Sequence, residues 1–234
     1  MRYRVGLSPF SHPPMSLAPI EIETAPEPKA TVIVLHGLGA DGNDFVPIAR
    51  ELDLSAAGTV RFVFPNAPVI PVTINNGYSM PAWYDIFQAD LVRREDEAGL
   101  RRSRDSIEAL IAKEKARGIP AGRIVIAGFS QGCAMALMTG LRHGERLAGI
   151  VGLSGYLPLA ATLGTERSPA NQDTPVFLAH GTQDNVVVLP RATETRAALV
   201  ALGYAVEWHD YPMAHSVCME EIADLNAFLL RVLA

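Results

Sequence analysis

The sequence predicts an α/β fold, a mainly parallel sheet with helices on both faces, in a single domain over residues 20–234. Three observations lead there. Short apolar runs alternate almost throughout with stretches whose apolar residues recur at helical spacing. Several runs are continuous in β-branched residues, as in Thr31-Val32-Ile33-Val34-Leu35, which marks strands covered on both faces. No internal repeat or linker interrupts the alternation, and a strand–helix–strand order favours parallel pairing with helical crossovers.

The elements follow in order. Residues 1–19 carry Pro9, Pro13, Pro14 and Pro19 and are expected to form an extended N-terminal arm. Ile20-Glu21-Ile22-Glu23 alternates as an edge strand does. The strand at Thr31 runs into His36-Gly37-Leu38-Gly39-Ala40-Asp41-Gly42, a glycine-rich loop, and a helix with Phe45, Ile48, Ala49 and Leu52 on one face. Arg61 to Phe64 is the next strand, stopped by Pro65. From Asn66 to about Asp90 regular alternation lapses, yet Val69, Ile74, Trp83, Ile86 and Phe87 keep the stretch apolar. Long irregular excursions of this kind are uncommon and often functional, so a substrate wall is expected here.

Leu100, Ile107, Leu110 and Ile111 share a helix face that ends at Gly118-Ile119-Pro120. Strands are then expected at Ile124 to Ala127, Leu147 to Leu153, Val176 to Ala179 and Val206 to Tyr211. Residues 159–174 read as loop. Helices are expected from about Arg191 to Leu202 and at the C-terminus, where Ile222, Leu225, Phe228 and Leu229 are in register.

Composition narrows the function classes. The net charge is −5, and the arginines near residues 93–104 are interspersed with acids, so they read as a solvated helix face and nucleic acid is not expected as a partner. No apolar run reaches the ~20 residues of a membrane span, and the first residues lack a signal-type apolar stretch. A cytoplasmic location is the resulting expectation. Cys133 and Cys218 are the only cysteines and are expected as buried thiols. The histidines are scattered, with no H-E-x-x-H and no paired-cysteine motif, so no metal site is expected. The letters of G-x-G-x-x-G occur over residues 37–42, but no acid ends the following strand, which argues against a dinucleotide.

The chemistry gathers around Gly128-Phe129-Ser130-Gln131-Gly132, between the apolar run at Ile124 and the helical pattern of Ala134, Leu137, Met138 and Leu141. Strand, G-x-S-x-G and helix together describe a sharp turn that holds a serine hydroxyl outward. The alternative for this stretch is an ordinary strand-to-helix turn with a serine cap. A serine needs a base to become nucleophilic, and the base needs an acid to orient it. Of the six histidines, His215 follows the last strand and lies downstream of a suitable acid. His36 and His180 are each followed by Gly in a tight turn and read as loop braces; His143 should point away. Asp184 stands just after a strand, between Ser130 and His215, in the chain order Ser, Asp, His of α/β-hydrolases. Asp210 is the runner-up acid, and Asp85 breaks the order. The backbone N–H groups of Gln131 and Leu38 are the expected donors to a developing oxyanion.

Residues 35–42, Trp83-Tyr84-Asp85, the serine turn, Leu153-Ser154-Gly155-Tyr156-Leu157-Pro158, His180-Gly181-x-x-Asp184 and Tyr211-Pro212-Met213-Ala214-His215 together resemble the phospholipase/carboxylesterase family, which includes acyl-protein thioesterases. The resemblance runs from about Thr31 to the C-terminus. It implies an α/β-hydrolase fold without a large cap domain, a small-molecule ester or acyl substrate and no cofactor. On that resemblance Ser130 is the nucleophile, Asp184 the acid and His215 the base, with Leu38 and Gln131 in the oxyanion hole. Trp83 would line the acyl site, joined by Leu157 and Val187. A serine carboxylesterase is the leading expectation, with a thioesterase or lysophospholipase as the alternative and a non-catalytic binding protein behind both. Two positions depart from the family pattern: Cys133 stands where a smaller residue is usual, and Ala214 where Gly is common. The resemblance matches no family motif to the arm over residues 1–19, whose role it leaves open, and a homodimer contact is one role open to it.

Overall fold

The computed structural model describes residues 17–88 and 94–234. The expected arm therefore lies outside the described residues up to Leu17. That leucine is buried, and its carbonyl accepts the Asn66 N–H at 2.8 Å, which ties the start of the fold to the strand end after Phe64.

In chain order the elements are β1 (Ile20–Glu23), β2 (Ala30–Leu35), α1 (Val46–Glu51), β3 (Val60–Phe64), β4 (Val69–Val72), β5 (Tyr78–Pro81), α2 (Glu97–Ala116), β6 (Ile124–Phe129), α3 (Gln131–Gly140), β7 (Gly149–Leu153), α4 (Ala160–Glu166), β8 (Val176–Gly181), α5 (Leu189–Ala201), β9 (Val206–Tyr211) and α6 (Met219–Val232). Among the described residues the main sheet has seven strands in the order β1-β3-β2-β6-β7-β8-β9. β1 runs antiparallel to β3 and the other neighbours are parallel. This is the α/β-hydrolase fold that the motifs imply.

Strand alternation sorts the core into two layers. Ile33, Leu35, Ile124 and Ile126 pack with Leu100, Ile107 and Ile111 of α2 and with α3. Val32, Phe62, Phe64, Val125 and Phe177 point the other way, to Leu225, Phe228 and Leu229 of α6 and the partly buried face of α1. Farther along, Ile150, Val176 and Leu178 meet Leu137 of α3 and Leu199 of α5. A sheet covered on both sides explains why its central strands are apolar at nearly every position.

Three sequence expectations need correction. The irregular stretch after Asn66 contains a hairpin, with Val69↔Pro81 and Val72↔Tyr78 in register. Its strands are short and carry Pro71 and Pro81, which hide the period-2 signal. Within residues 159–174, expected as loop, Ala160–Glu166 is helical. Seven residues with one buried side chain, Leu163, give no legible helical period. Cys218 is only half-buried, although Cys133 is buried as expected.

The amino ends of the strands carry a compact ion cluster. Arg61 of β3 is 5 % exposed and pairs with Glu21 and Glu23 of β1, while Glu114 of α2 lies 3.4 Å away and takes a hydrogen bond from the Thr31 hydroxyl at 3.0 Å. A buried guanidinium needs such partners, because desolvation of an unpaired charge costs several kcal/mol. The carboxyl ends of β2, β6, β7, β8 and β9 feed the loops at residues 36, 130, 154, 184 and 215. That is the rim where open α/β sheets bind ligands.

Candidate active site

Ser130 leaves β6 with φ +56° and ψ −117° and opens α3. A non-glycine residue at such a φ stores roughly 1–3 kcal/mol of strain. The turn is possible because its flanks lack side chains. A Cβ at Gly128 would sit 2.1 Å from the Gly132 carbonyl oxygen, and one at Gly132 would sit 2.0 Å from the Leu35 carbonyl oxygen. The serine side chain makes no helix-cap bond. Its Oγ lies 2.9 Å from His215 Nε2 instead, so the simple capping alternative does not describe this turn.

His215 arrives on the loop after β9. Gly181 lets that loop close in, since a Cβ there would lie 2.4 Å from the Met213 carbonyl oxygen. The imidazole leans on the Phe129 ring at 4.8 Å between centroids, and its Nδ1 lies 2.6 Å from Asp184 Oδ2. Asp184 is aimed from its other oxygen: Oδ1 accepts the N–H groups of Val186 and Val187 at 2.8 and 2.9 Å. Nδ1–H therefore faces the carboxylate and Nε2 is left as the acceptor for the serine proton. The runner-up Asp210 is engaged elsewhere, by the Trp208 indole N–H at 3.2 Å. Asp85 accepts the Thr73 N–H and hydroxyl at 2.7 and 2.6 Å.

The other histidines brace. His180 donates from Nε2 to the Val187 carbonyl at 2.7 Å, and burial lowers its pKa. His36 donates from Nδ1 to the Gly37 carbonyl at 2.7 Å and accepts the Ala67 N–H on Nε2 at 2.9 Å; burial also lowers its pKa. Both rings thus stay neutral under the loops they hold. Because an amide is planar and trans, fixing the Gly37 carbonyl also fixes the direction of the Leu38 N–H. His143 points away and lies 2.7 Å from Glu108. Cys133, the nearest thiol in sequence to Ser130, is held protonated, with burial pushing its pKa up to about 12.

The N–H of Gln131 is the first of α3, and the first four N–H groups of a helix have no partner within it. Its side chain clamps the neighbouring segment: Oε1 accepts the Trp83 N–H and Nε2 donates to the Tyr84 carbonyl, both at 2.8 Å. Trp83 itself is 1 % exposed, with its indole N–H on the His36 carbonyl at 2.9 Å. It supports the Leu38 loop from beneath and does not line the cavity beside Ser130. Leu157 is likewise packed in the core with Cys133 and Leu137. Of the three residues expected at the substrate wall, only Val187 lines that cavity. An expectation based on residue type favours Trp and Leu, but the same apolar bulk serves a core equally well.

Two clefts meet at Ser130. One, of about 260 Å³, is bounded by Leu38, Gln131, Ile74, Ile86 and Val187, with Tyr84 and Tyr156, both buried, also in its lining. The other, of about 480 Å³, runs past His215, Phe129, Phe45 and Val217. Leu38, Ser130 and Val186 border both. Val186 and Tyr156 were not singled out as wall residues by sequence reasoning. Ile74 and Ile86 come from the irregular apolar excursion where a substrate wall is expected, and both line this cavity. Among the described residues no helix is long and apolar enough to cross a membrane.

Comparison with known proteins agrees with this geometry. The profile of the Phospholipase/Carboxylesterase family matches residues 18–233. Acyl-protein thioesterase 1 of Yarrowia lipolytica is 44% identical over 205 residues, covering 86% of this chain and 90% of that protein. The protein of the same name from Neurospora crassa is 43% identical over 220 residues, covering 90% of each. Among solved structures, acyl-protein thioesterase 2 of Zea mays superposes with a TM-score of 0.79 at 30% identity, covering 92% of this chain and 99% of the other. SOBER1 of Arabidopsis thaliana gives a TM-score of 0.83 at 29% identity, covering 88% and 99%. Fold, motif order and extent of match coincide, and the chain belongs to the phospholipase/carboxylesterase family of serine hydrolases.

Proposed function

We propose that the chain is an acyl thioesterase that uses Ser130 as nucleophile, His215 as base and Asp184 as acid. The unbroken hydrogen-bonded line from Ser130 Oγ through His215 to Asp184 is the observation that carries this reading. His215 Nε2 takes the Ser130 proton as Oγ attacks the acyl carbonyl. The tetrahedral intermediate puts its charge on the carbonyl oxygen, where the N–H groups of Leu38 and Gln131 donate. Collapse breaks the carbon–sulfur bond and Nε2 returns the proton to the leaving thiolate. Water, activated by the same nitrogen, then cleaves the serine ester and frees the acid. Asp184 holds the imidazole in place through Nδ1 and stabilises the imidazolium.

The two clefts divide the substrate. The proton must reach the leaving group from His215, which borders the larger cleft and not the smaller. The leaving thiol or alcohol therefore belongs in the larger cleft and the acyl chain in the smaller one. A plain carboxylesterase is the coarser form of the same chemistry. The acyl-protein thioesterase names of the relatives favour the thioester form. Matched acyl thioesters, oxygen esters and lysophospholipids, compared by kcat/KM, test the choice. The expected order has thioesters first; an oxygen ester or lysophospholipid turned over at higher kcat/KM than its matched thioester would reverse the assignment.

A further inference from the structure

Three residues border more than the acyl cleft. Tyr84, Ile86 and Tyr156 line the cavity that contains Ser130 and also a second, small crevice behind it of about 10 Å³. They are thus the partition between the two. We infer that Tyr84, Ile86 and Tyr156 form an end wall that sets the longest acyl chain this hydrolase accepts. This inference rests on the assignment of the acyl group to the smaller cleft.

The wall is built to stay closed. The hydroxyls of Tyr84 and Tyr156 are 2.7 Å apart, and both residues are under 5 % exposed. The Tyr84 carbonyl is held by the Gln131 side chain and the neighbouring Trp83 carbonyl by the Ser103 hydroxyl. The Ile86 carbonyl accepts the Ile74 N–H at 2.8 Å, and residue 86 bridges Glu95. The backbone behind Tyr84 and Ile86 is therefore anchored independently of their side chains. Polarity changes across the partition. On the serine side, with Asn75 and Gln131, stand Leu38, Ile74 and Val187 and no charged side chain; behind the wall, beside Phe87, stand the charged Arg94, Glu95 and Asp96. Glu95 accepts the Leu159 N–H at 2.8 Å, and Asp96 accepts those of Asp85 and Gly99. A methylene chain gains by burial only as far as the tyrosines. Beyond them it would meet side chains and lose the solvation of charged groups.

The test is a profile of kcat/KM against acyl length, from acetyl to hexadecanoyl aryl esters, for the native chain and for Ile86→Ala, Ile86→Phe and Tyr156→Ala. Fluorophosphonate labelling of each variant checks that Ser130 remains reactive. A methylene newly admitted to an apolar pocket is worth roughly 10-fold or more in kcat/KM. Ile86→Ala and Tyr156→Ala should therefore raise the ratio of long-chain to short-chain kcat/KM by at least about 10-fold. Ile86→Phe should lower the same ratio. Ile86 is half-buried, so its variants keep the test intact if Tyr156→Ala fails to fold. Labelled, active Ile86 variants with unshifted profiles would overturn the wall while leaving the hydrolase assignment standing. A native chain that neither labels nor hydrolyses any ester would overturn both.

Discussion

At the scale of single residues, the site depends on side chains whose partners are few and well defined. Asp184→Asn would retain the shape of the loop but present an amide to His215 Nδ1. The wrong tautomer then faces Ser130, and kcat should fall by about 10⁴-fold with little change in KM; pre-steady-state acylation rates measure it directly. A different residue governs pH behaviour. Glu221, in the first turn of α6, is fully buried, with no hydrogen-bond partner for either carboxylate oxygen. Desolvation by burial pushes its pKa up to about 8. A carboxyl near 4.3 when unfolded binds its proton more tightly in the fold. Its contribution is thus fully present at acid pH and is lost as pH rises through the interval up to about 8. Glu221→Gln carries no charge to bury, so it should match the native chain near pH 4.5 and exceed it by roughly 2–4 kcal/mol at pH 8. Urea melts at the two pH values compare them; equal gaps at both would exclude this origin.

At the scale of elements, the serine turn ties β2, β6 and α3 together through two missing side chains. Gly132→Ala would drive a methyl into the Leu35 carbonyl. Either β2 or α3 must shift, and overpacking of this kind costs roughly 1–3 kcal/mol. Activity should fall more than stability does, because the same shift moves Ser130 from His215; labelling rate and melting temperature on one sample separate the two. This turn was legible in the sequence for the reason that makes it fragile. Crowding demands glycine at residues 128 and 132, and glycine is visible in a sequence. The central strands were legible because burial on both faces leaves uninterrupted apolar runs, as at Thr31 to Leu35. The β4–β5 hairpin was not, because Pro71 and Pro81 break the alternation that a strand should show. Trp83 and Leu157 went astray for another reason: the direction of a large apolar side chain, inward to the core or outward to a cleft, is set by tertiary packing that no local pattern records.

At the scale of the whole molecule, stabilising and reacting polar groups occupy opposite ends of the strands. The Arg61–Glu114 cluster sits at the amino ends and the Ser130–His215–Asp184 line at the carboxyl ends. β2 alone spans six residues between them, roughly 20 Å at 3.3 Å per residue. Perturbations at that separation are expected to act independently. Arg61→Ala would leave Glu114, 1 % exposed, without the guanidinium beside its Oε2, with Arg117 still 3.5 Å from Oε1. Breaking a buried pair from one side costs about 3–5 kcal/mol, which for a chain of this length lowers Tm by ~10 °C. At 25 °C the remaining folded protein should still label at Ser130 at the native rate, since nothing at the carboxyl rim has moved. Combining Arg61→Ala with Asp184→Asn should add the loss of stability to the loss of turnover, with no interaction beyond ~0.5 kcal/mol. A double variant whose labelling rate falls well below that of Asp184→Asn alone, measured on fully folded protein, would mean that the sheet transmits strain along its strands and that the two ends are not separable.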